Sequence, residues 1–194
     1  EQEFAFTSES LYADTRAFQK LYLKPQDGSS AIKVLRTFQQ LENFHSSRKN
    51  PDAAVYAQLA RLEYVNENFR GPGNWELYTA ALERLAKETK GEAAAPVLLA
   101  QAKVLQQRAD ETDEEGKLKH PDFLKKAVEL CEQIIREYPD TDTAQNAQRL
   151  ISAIGVVRFD DVAIPLLQCG RRLLDQPREH RDPEAEVGGP RAGD

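Results

Sequence analysis

The chain has 194 residues, 40% hydrophobic and 30% charged, enough for one ordinary domain with a core and wet helix faces. A net charge of −6 and the lack of any basic stripe exclude nucleic acid as a partner, because phosphate contacts need clustered cations. No stretch reaches the ~20 apolar residues of a membrane span. Cys131 and Cys169 are too few for a disulfide framework, and Cys131, set among Val128, Leu130, Ile134 and Ile135, reads as a small buried thiol. The chain contains no methionine, so it reads as starting either at a processing site, which a removed secretory signal would explain, or at an artificial boundary.

In chain order, the first helix is expected from a cap at Thr7 or Ser8 through Leu11, Phe18, Leu21 and Tyr22, ending at the turn Pro25-Gln-Asp-Gly28. Apolar residues then recur at Ile32, Leu35, Phe38, Leu41 and Phe44, a three-residue step that predicts one helical face. A loop over 45–50 closes with Asn50-Pro51, a cap followed by proline at the first helical position. The third helix carries Val55, Leu59, Leu62 and Val65. Gly71-Pro72-Gly73 breaks the chain, and Asn74 is the expected cap of a fourth helix with Leu77, Tyr78, Ala81, Leu82 and Leu85, ended by Gly91.

A fifth helix runs from near Ala95-Pro96 through Leu99, Ala102 and Leu105 to about Ala109, and the acidic run at 110–115 reads as a solvated loop. His120-Pro121 opens the sixth, with Phe123, Leu124, Ala127, Val128, Cys131, Ile134 and Ile135. Tyr138-Pro139-Asp140 ends it and caps a seventh, with Ala144, Ala147, Leu150, Ile151 and Ile154. The fold class expected is therefore all-α, a helical-repeat-like domain of about seven helices in antiparallel hairpins over 1–154. Residues 127–153 resemble a degenerate tetratricopeptide hairpin, in which small alanines let two helices approach, although no clean 34-residue period repeats it.

At Gly155 the pattern changes. Val156, Val157, Phe159, Val162 and Ile164, ending at Pro165, predict a single strand over 155–168, the beginning of an incomplete β-domain. No aromatic residue or lysine follows Phe159. With its glycines, prolines and arginines, the stretch 169–194 cannot build a core and is expected to be a disordered tail.

The chemistry-bearing residues form no site. His45, His120 and His180 have no cysteine, histidine or carboxylate at ligand spacing. Lys119-His120-Pro121-Asp122 reads as a helix start. No glycine-rich loop follows a strand, no serine sits in a nucleophile elbow, and Glu114 and Glu115 lie in an exposed run where carboxylates stay ionised. The expectation is no catalytic residue, no cofactor and no metal, hence no enzyme. Phe4, Phe6, Tyr12, Phe18, Tyr22, Tyr56, Tyr64, Phe69, Trp75 and Tyr78 crowd the first half. They read either as inter-helix packing or as a partner groove lined by Trp75 and neighbouring tyrosines.

The order of parts over 127–165 resembles the N-terminus of bacterial alpha-2-macroglobulin-like proteins, the Bacteroidetes type above all. The resemblance rests on the helix ending at Tyr138, the turn Tyr138-Pro139-Asp140-Thr141, the helix with Ala144, Asn146, Leu150 and Ile151, and the strand of Val157 to Ile164 before Pro165. In that family a second strand follows, of the form Val-x-Tyr-x-Asn-(Ile/Val)-x-x-Leu-x-Leu-Lys. Read one base later, the codons for residues 179–186 permit Asn-Ile-Glu-Thr-Leu-Lys-Leu-Lys. Those for residues 171–175 permit Val-Asp-Tyr-Ser-Ile. The resemblance thus implies a gene truncated by a frameshift near 165–169, with an out-of-frame tail.

It further implies a secreted or periplasmic parent that traps proteases through a bait segment and, in many members, a thioester. None of those parts lies in this chain, so no functional residue carries over. The expected function is a non-catalytic helical module of such an inhibitor, acting as scaffold or protein-interaction region. The alternative is a free-standing tetratricopeptide-like adaptor or envelope assembly protein. The expected partners are proteins (proteases through the full-length parent, or an envelope protein), with membrane contact only through a removed signal or a lipid anchor.

Overall fold

A computed structural model describes residues 8–24, 29–69 and 71–157. Eight α-helices occupy them: α1 (Ser8–Leu11), α2 (Thr15–Gln19), α3 (Ser30–Ser47), α4 (Pro51–Asn68), α5 (Asn74–Glu88), α6 (Ala94–Arg108), α7 (Phe123–Glu137) and α8 (Asp142–Val157). A short 3-10 turn, Gly91–Ala93, leads into α6. The all-α class expected from periodicity is what the structure shows.

The first expected helix is two. Asp14 interrupts it, adopting extended backbone and accepting hydrogen bonds from the Arg16 and Ala17 amides at 2.8 and 3.0 Å. An N-cap carboxylate offers the amides a better partner than a continued helix does. Backbone hydrogen bonds from Ala17 and Arg16 hold the Asp14 carboxyl below its usual value. Six helices follow as three consecutive antiparallel hairpins, α3–α4, α5–α6 and α7–α8, each packed on the next.

Local signals explain the joints. Asn50 Oδ1 accepts from the Ala53 amide at 3.2 Å with Pro51 in the first turn, so the expected cap is present. Helix α3 runs further than expected, to Ser47, and closes with the Asn50 amide on the His45 carbonyl (3.2 Å) and the Lys49 amide on that of Ser46 (3.3 Å). This is a Schellman closure, which places its residue after the cap in the left-handed region. Here that residue is Lys49, at φ 53. Before α5 the cap is Gly73 at φ 70, with Asn74 already inside the helix. At the α7–α8 turn the cap is Thr141, one residue past the expected Asp140. Its hydroxyl donates to the Tyr138 carbonyl (2.8 Å) and accepts from the Ala144 amide (3.1 Å).

The expected solvated loop at 110–115 is exposed at all but Glu111, and it also folds back on itself. Lys119 N–H donates to Glu111 O at 2.8 Å and Asp113 N–H to Lys117 O at 2.9 Å, with an isolated bridge between Thr112 and Leu118 and Gly116 at φ 78 in the turn. No strand element occurs among the described residues. Gly155, Val156 and Val157, assigned to a strand by their composition, continue α8. The rest of the expected strand and the expected disordered tail lie outside the described residues.

The core gathers Leu11, Phe18, Leu35, Leu62, Val65, Tyr78, Leu82 and Val97, all close to zero exposure. Around α6 it consists largely of alanine, with Ala95, Ala100, Ala102, Ala109, Ala127 and Ala147 buried. Small side chains let α6 pack closely on α7 and α8 at once. Cys131 and Ile134 are fully buried, as expected.

The α3 face differs from its reading. A step of three residues turns about 300°, so positions 32, 35, 38, 41 and 44 slip by about 60° each time. Ile32 and Leu35 are buried, but Leu41 and Phe44 rotate out to 39% and 47% exposure, and Glu42 takes the inward place at 0%. Leu35→Ala is therefore expected to cost about 2–5 kcal/mol, and Leu41→Ala less than about 0.5 kcal/mol. Urea unfolding of the two variants checks this, and equal losses would return Leu41 to the core.

Candidate functional site

Three clusters concentrate the polar and aromatic chemistry. The first holds residues 11–23 against α3, α4 and α5. Arg61 on α4 and Glu42 on α3 form an ion pair at 2.6 Å with side chains 1% and 0% exposed. The guanidinium also donates to the backbone carbonyls of Leu11 and, at 3.0 Å, Ala13. It lies 4.1 Å over the Phe18 ring. Glu42 takes its remaining bond from the Thr15 hydroxyl at 2.7 Å.

Further donors extend this pattern. Arg84 on α5 donates to Tyr12 O (2.7 Å), and Gln39 on α3 to Phe18 O (2.9 Å) and Leu21 O (3.0 Å). Tyr12 donates its hydroxyl to Asn74 Oδ1 (2.9 Å), and Asn74 Nδ2 donates to Asn66 Oδ1 (3.2 Å). Burial pushes the Tyr12 hydroxyl up to about 12, opposed by the bond to Asn74. Burial also lowers the Arg61 guanidinium from its ordinary value, with Glu42 pulling it back; arginine stays cationic regardless.

The second cluster lies where α5 begins, α6 ends and α7 begins. His120 stacks on Phe123 at 4.1 Å with planes 4° apart, and Trp75 stands 5.7 Å from His120 and 6.1 Å from Phe123. Arg108 sits 4.5 Å over the Trp75 ring and pairs with Glu111 at 2.7 Å, while His120 Nε2 lies 4.0 Å from the same carboxylate. Of the two readings given to these aromatics, inter-helix packing describes Tyr12, Tyr64 and Tyr78. Tyr12 and Tyr78 pack together in the core at 6.2 Å, and Tyr64 packs on Phe38 and Phe69 at 5.8 and 6.3 Å. Trp75 instead meets a histidine, a phenylalanine and an arginine from far later in the chain. Phe4 and Phe6 lie outside the described residues.

The third cluster is exposed. On the outer side of α3, Leu41 and Phe44 lie one turn apart, and Arg48 covers the Phe44 ring at 4.5 Å while His45 meets its edge at 5.2 Å. Tyr56, 50% exposed, follows in the second turn of α4. Phe38 touches Tyr64 across the α3–α4 hairpin. Over 53–60, α4 carries one polar residue, Gln58, although Tyr56 and Ala60 face water. A helix apolar on all sides normally has neighbours on all sides.

Among the described residues no group of three or more histidine, cysteine, aspartate or glutamate side chains could hold a metal ion. No described helix is long and apolar enough to cross a membrane. His180 and Cys169 lie outside the described residues. Burial pushes the Cys131 thiol up to about 11, with Glu132 adding to the shift; it is therefore protonated near neutral pH and a poor nucleophile. Glu114 and Glu115 are exposed. No protein-family model, curated protein or solved structure matches the chain.

Sequence reasoning missed Glu42 and Arg61, yet a signal existed, since Glu42 stands two helical turns after Leu35 and Arg61 lies between Leu59 and Val65. Removing one partner of a fully buried pair leaves an uncompensated charge and costs about 3–5 kcal/mol. Arg61→Met is expected to lose that much, and Arg61→Met combined with Glu42→Leu less than the two single losses together. A double-mutant cycle by chemical unfolding measures the coupling, and strict additivity would show that the two charges do not interact.

Proposed function

We propose that this all-α unit is a non-catalytic scaffold that binds another protein through the outer side of α3 and the start of α4. One observation carries the reading: Leu41 and Phe44 stand exposed one turn apart on α3 with Arg48 over the Phe44 ring, and Tyr56 on α4 is exposed as well. Aromatic side chains and arginine dominate the energetics of protein interfaces. Although the chain is acidic overall, residues 30–50 carry Lys33, Arg36, Arg48 and Lys49 exposed. The single carboxylate of that stretch, Glu42, is buried against Arg61, so the outer side of α3 is locally cationic. The partner this surface fits is a segment presenting aliphatic side chains flanked by carboxylates.

The larger setting proposed is the helical N-terminal part of a macroglobulin-like protease inhibitor outside the cytoplasm. The order of helices, the Tyr138-Pro139-Asp140-Thr141 turn and the Phe159-to-Pro165 composition support it. A free-standing tetratricopeptide-like adaptor is the second reading. It is favoured by three successive hairpins and by the wet outer face of α8, where Gln145, Gln148, Arg149 and Ser152 are exposed.

A photo-crosslinking residue at position 44, introduced in the producing cell, is expected to give a dominant protein adduct. The same residue at position 145 gives none, and Leu41→Asp removes the adduct at 44 without changing the melting temperature. Equal labelling at 44 and 145, or none at 44, would discard this surface. Sequencing the coding DNA beyond Gly155 separates the two settings. An alternate frame encoding successive β-domains is expected of the inhibitor, and stops in every frame of the adaptor.

A further inference from the structure

Segment 8–24 is held by side chains of the helices that follow it. The donors are Gln39 on α3, Arg61 on α4 and Arg84 on α5. Between them they engage the backbone carbonyls of Leu11, Tyr12, Ala13, Phe18 and Leu21. A donor aimed at a carbonyl recognises main chain wherever it comes from, as in peptide-binding proteins. Selectivity comes from the side chains, since Leu11, Tyr12, Phe18 and Leu23 enter at 0–5% exposure and Phe18 lies beneath the Arg61 guanidinium.

Three further features set the segment apart from the helices that follow. Its helices, of four and five residues, are too short to be stable alone. The three hairpins that follow pair with one another in sequence, so none threads around it. It joins α3 through Pro25-Gln-Asp-Gly28, residues outside those described and of a kind that joins elements.

We infer that the face built by Gln39, Glu42, Arg61 and Arg84 is a peptide-binding site and that segment 8–24 is an exchangeable arm, which a second copy of this chain can supply in place of the resident one. Arm exchange between identical protomers needs no new contact, because the same bonds form in cis or in trans. What opposes it is the tether, which gives the resident arm an effective concentration on the order of millimolar. Loosening the resident arm removes that advantage and leaves the site free for another. The inference is independent of the α3 outer surface, whose Leu41 and Phe44 make no part of this site.

The test uses the full chain and a fluorescent synthetic peptide of residues 8–24. Phe18→Ala and, more mildly, Tyr12→Phe loosen the resident arm without altering the donors. Both variants are expected to bind the peptide saturably at one per chain, Phe18→Ala at least tenfold and Tyr12→Phe about threefold to fivefold more tightly than the wild type. A peptide carrying Phe18→Ala binds at least tenfold more weakly. Arg61→Met, mixed with Phe18→Ala, pairs an intact arm with an intact site, and native mass spectrometry is expected to show the heterodimer exceeding either homodimer.

If Phe18→Ala does not fold, Tyr12→Phe, which loses one hydrogen bond, decides the matter. Absence of saturable binding to a cooperatively melting variant at millimolar peptide overturns the inference. So does equal binding of the Phe18→Ala peptide.

Discussion

Burying Glu42 and Arg61 takes two charges out of water, a cost that their mutual attraction offsets only if every remaining donor and acceptor is also satisfied. That condition organises the N-terminal third of the protein. Arg61 has more donors than one carboxylate can use, and the Leu11 and Ala13 carbonyls take the remainder. Glu42 has a second oxygen, and Thr15 fills it. Satisfying the pair thus requires the segment around residues 11–15 to lie across α3 and α4. Once there, Phe18 packs under the guanidinium and Tyr12 reaches α5 through Asn74. A wholly apolar pair at 42 and 61 would pack equally well while leaving those carbonyls unpaired and the segment without a fixed register.

The rest of the unit depends on a different constraint, the close approach of helices. Buried alanines are frequent on α6 and recur on α7 and α8 beside Leu99, Val104, Val128 and Ile134, so less side-chain volume separates these helices. Helix α3, by contrast, has larger residues on two sides, and only one of them is covered. That asymmetry places the wet apolar surface on the first hairpin, near the turn where Lys49 occupies a left-handed position that glycine would take more easily.

Much of this was legible in the residues. Asn50-Pro51 reads as a helix start because capping is a property of two adjacent residues, and Cys131 and Ile134 read as buried because α7 alternates cleanly between apolar and charged faces. The period on α3 misled because a strict three-residue step drifts around a helix that turns every 3.6 residues. The break at Asp14 was legible in principle, since aspartate before Thr15-Arg16 is a strong cap, but the apolar spacing across it suggested a single helix. Clusters assembled from distant positions were not legible. Nothing near Trp75 announces Arg108 or His120, and a charged residue such as Arg61 reads as solvated until its partner, 19 positions away, is known. Composition also outweighed context at Gly155, Val156 and Val157, where β-branched residues at a helix end follow the register set by Ala147, Ile151 and Ile154.

The most direct test of the clamp is native-state hydrogen exchange at the amides of Phe18, Lys20 and Leu21, each hydrogen-bonded inside the segment. These amides are expected to be protected in the wild type. In Arg61→Met they should lose that protection while amides in α7, far along the chain, keep theirs. Unchanged protection at Phe18 in Arg61→Met, or free exchange there in the wild type, would contradict the claim that the buried ion pair holds the segment in place.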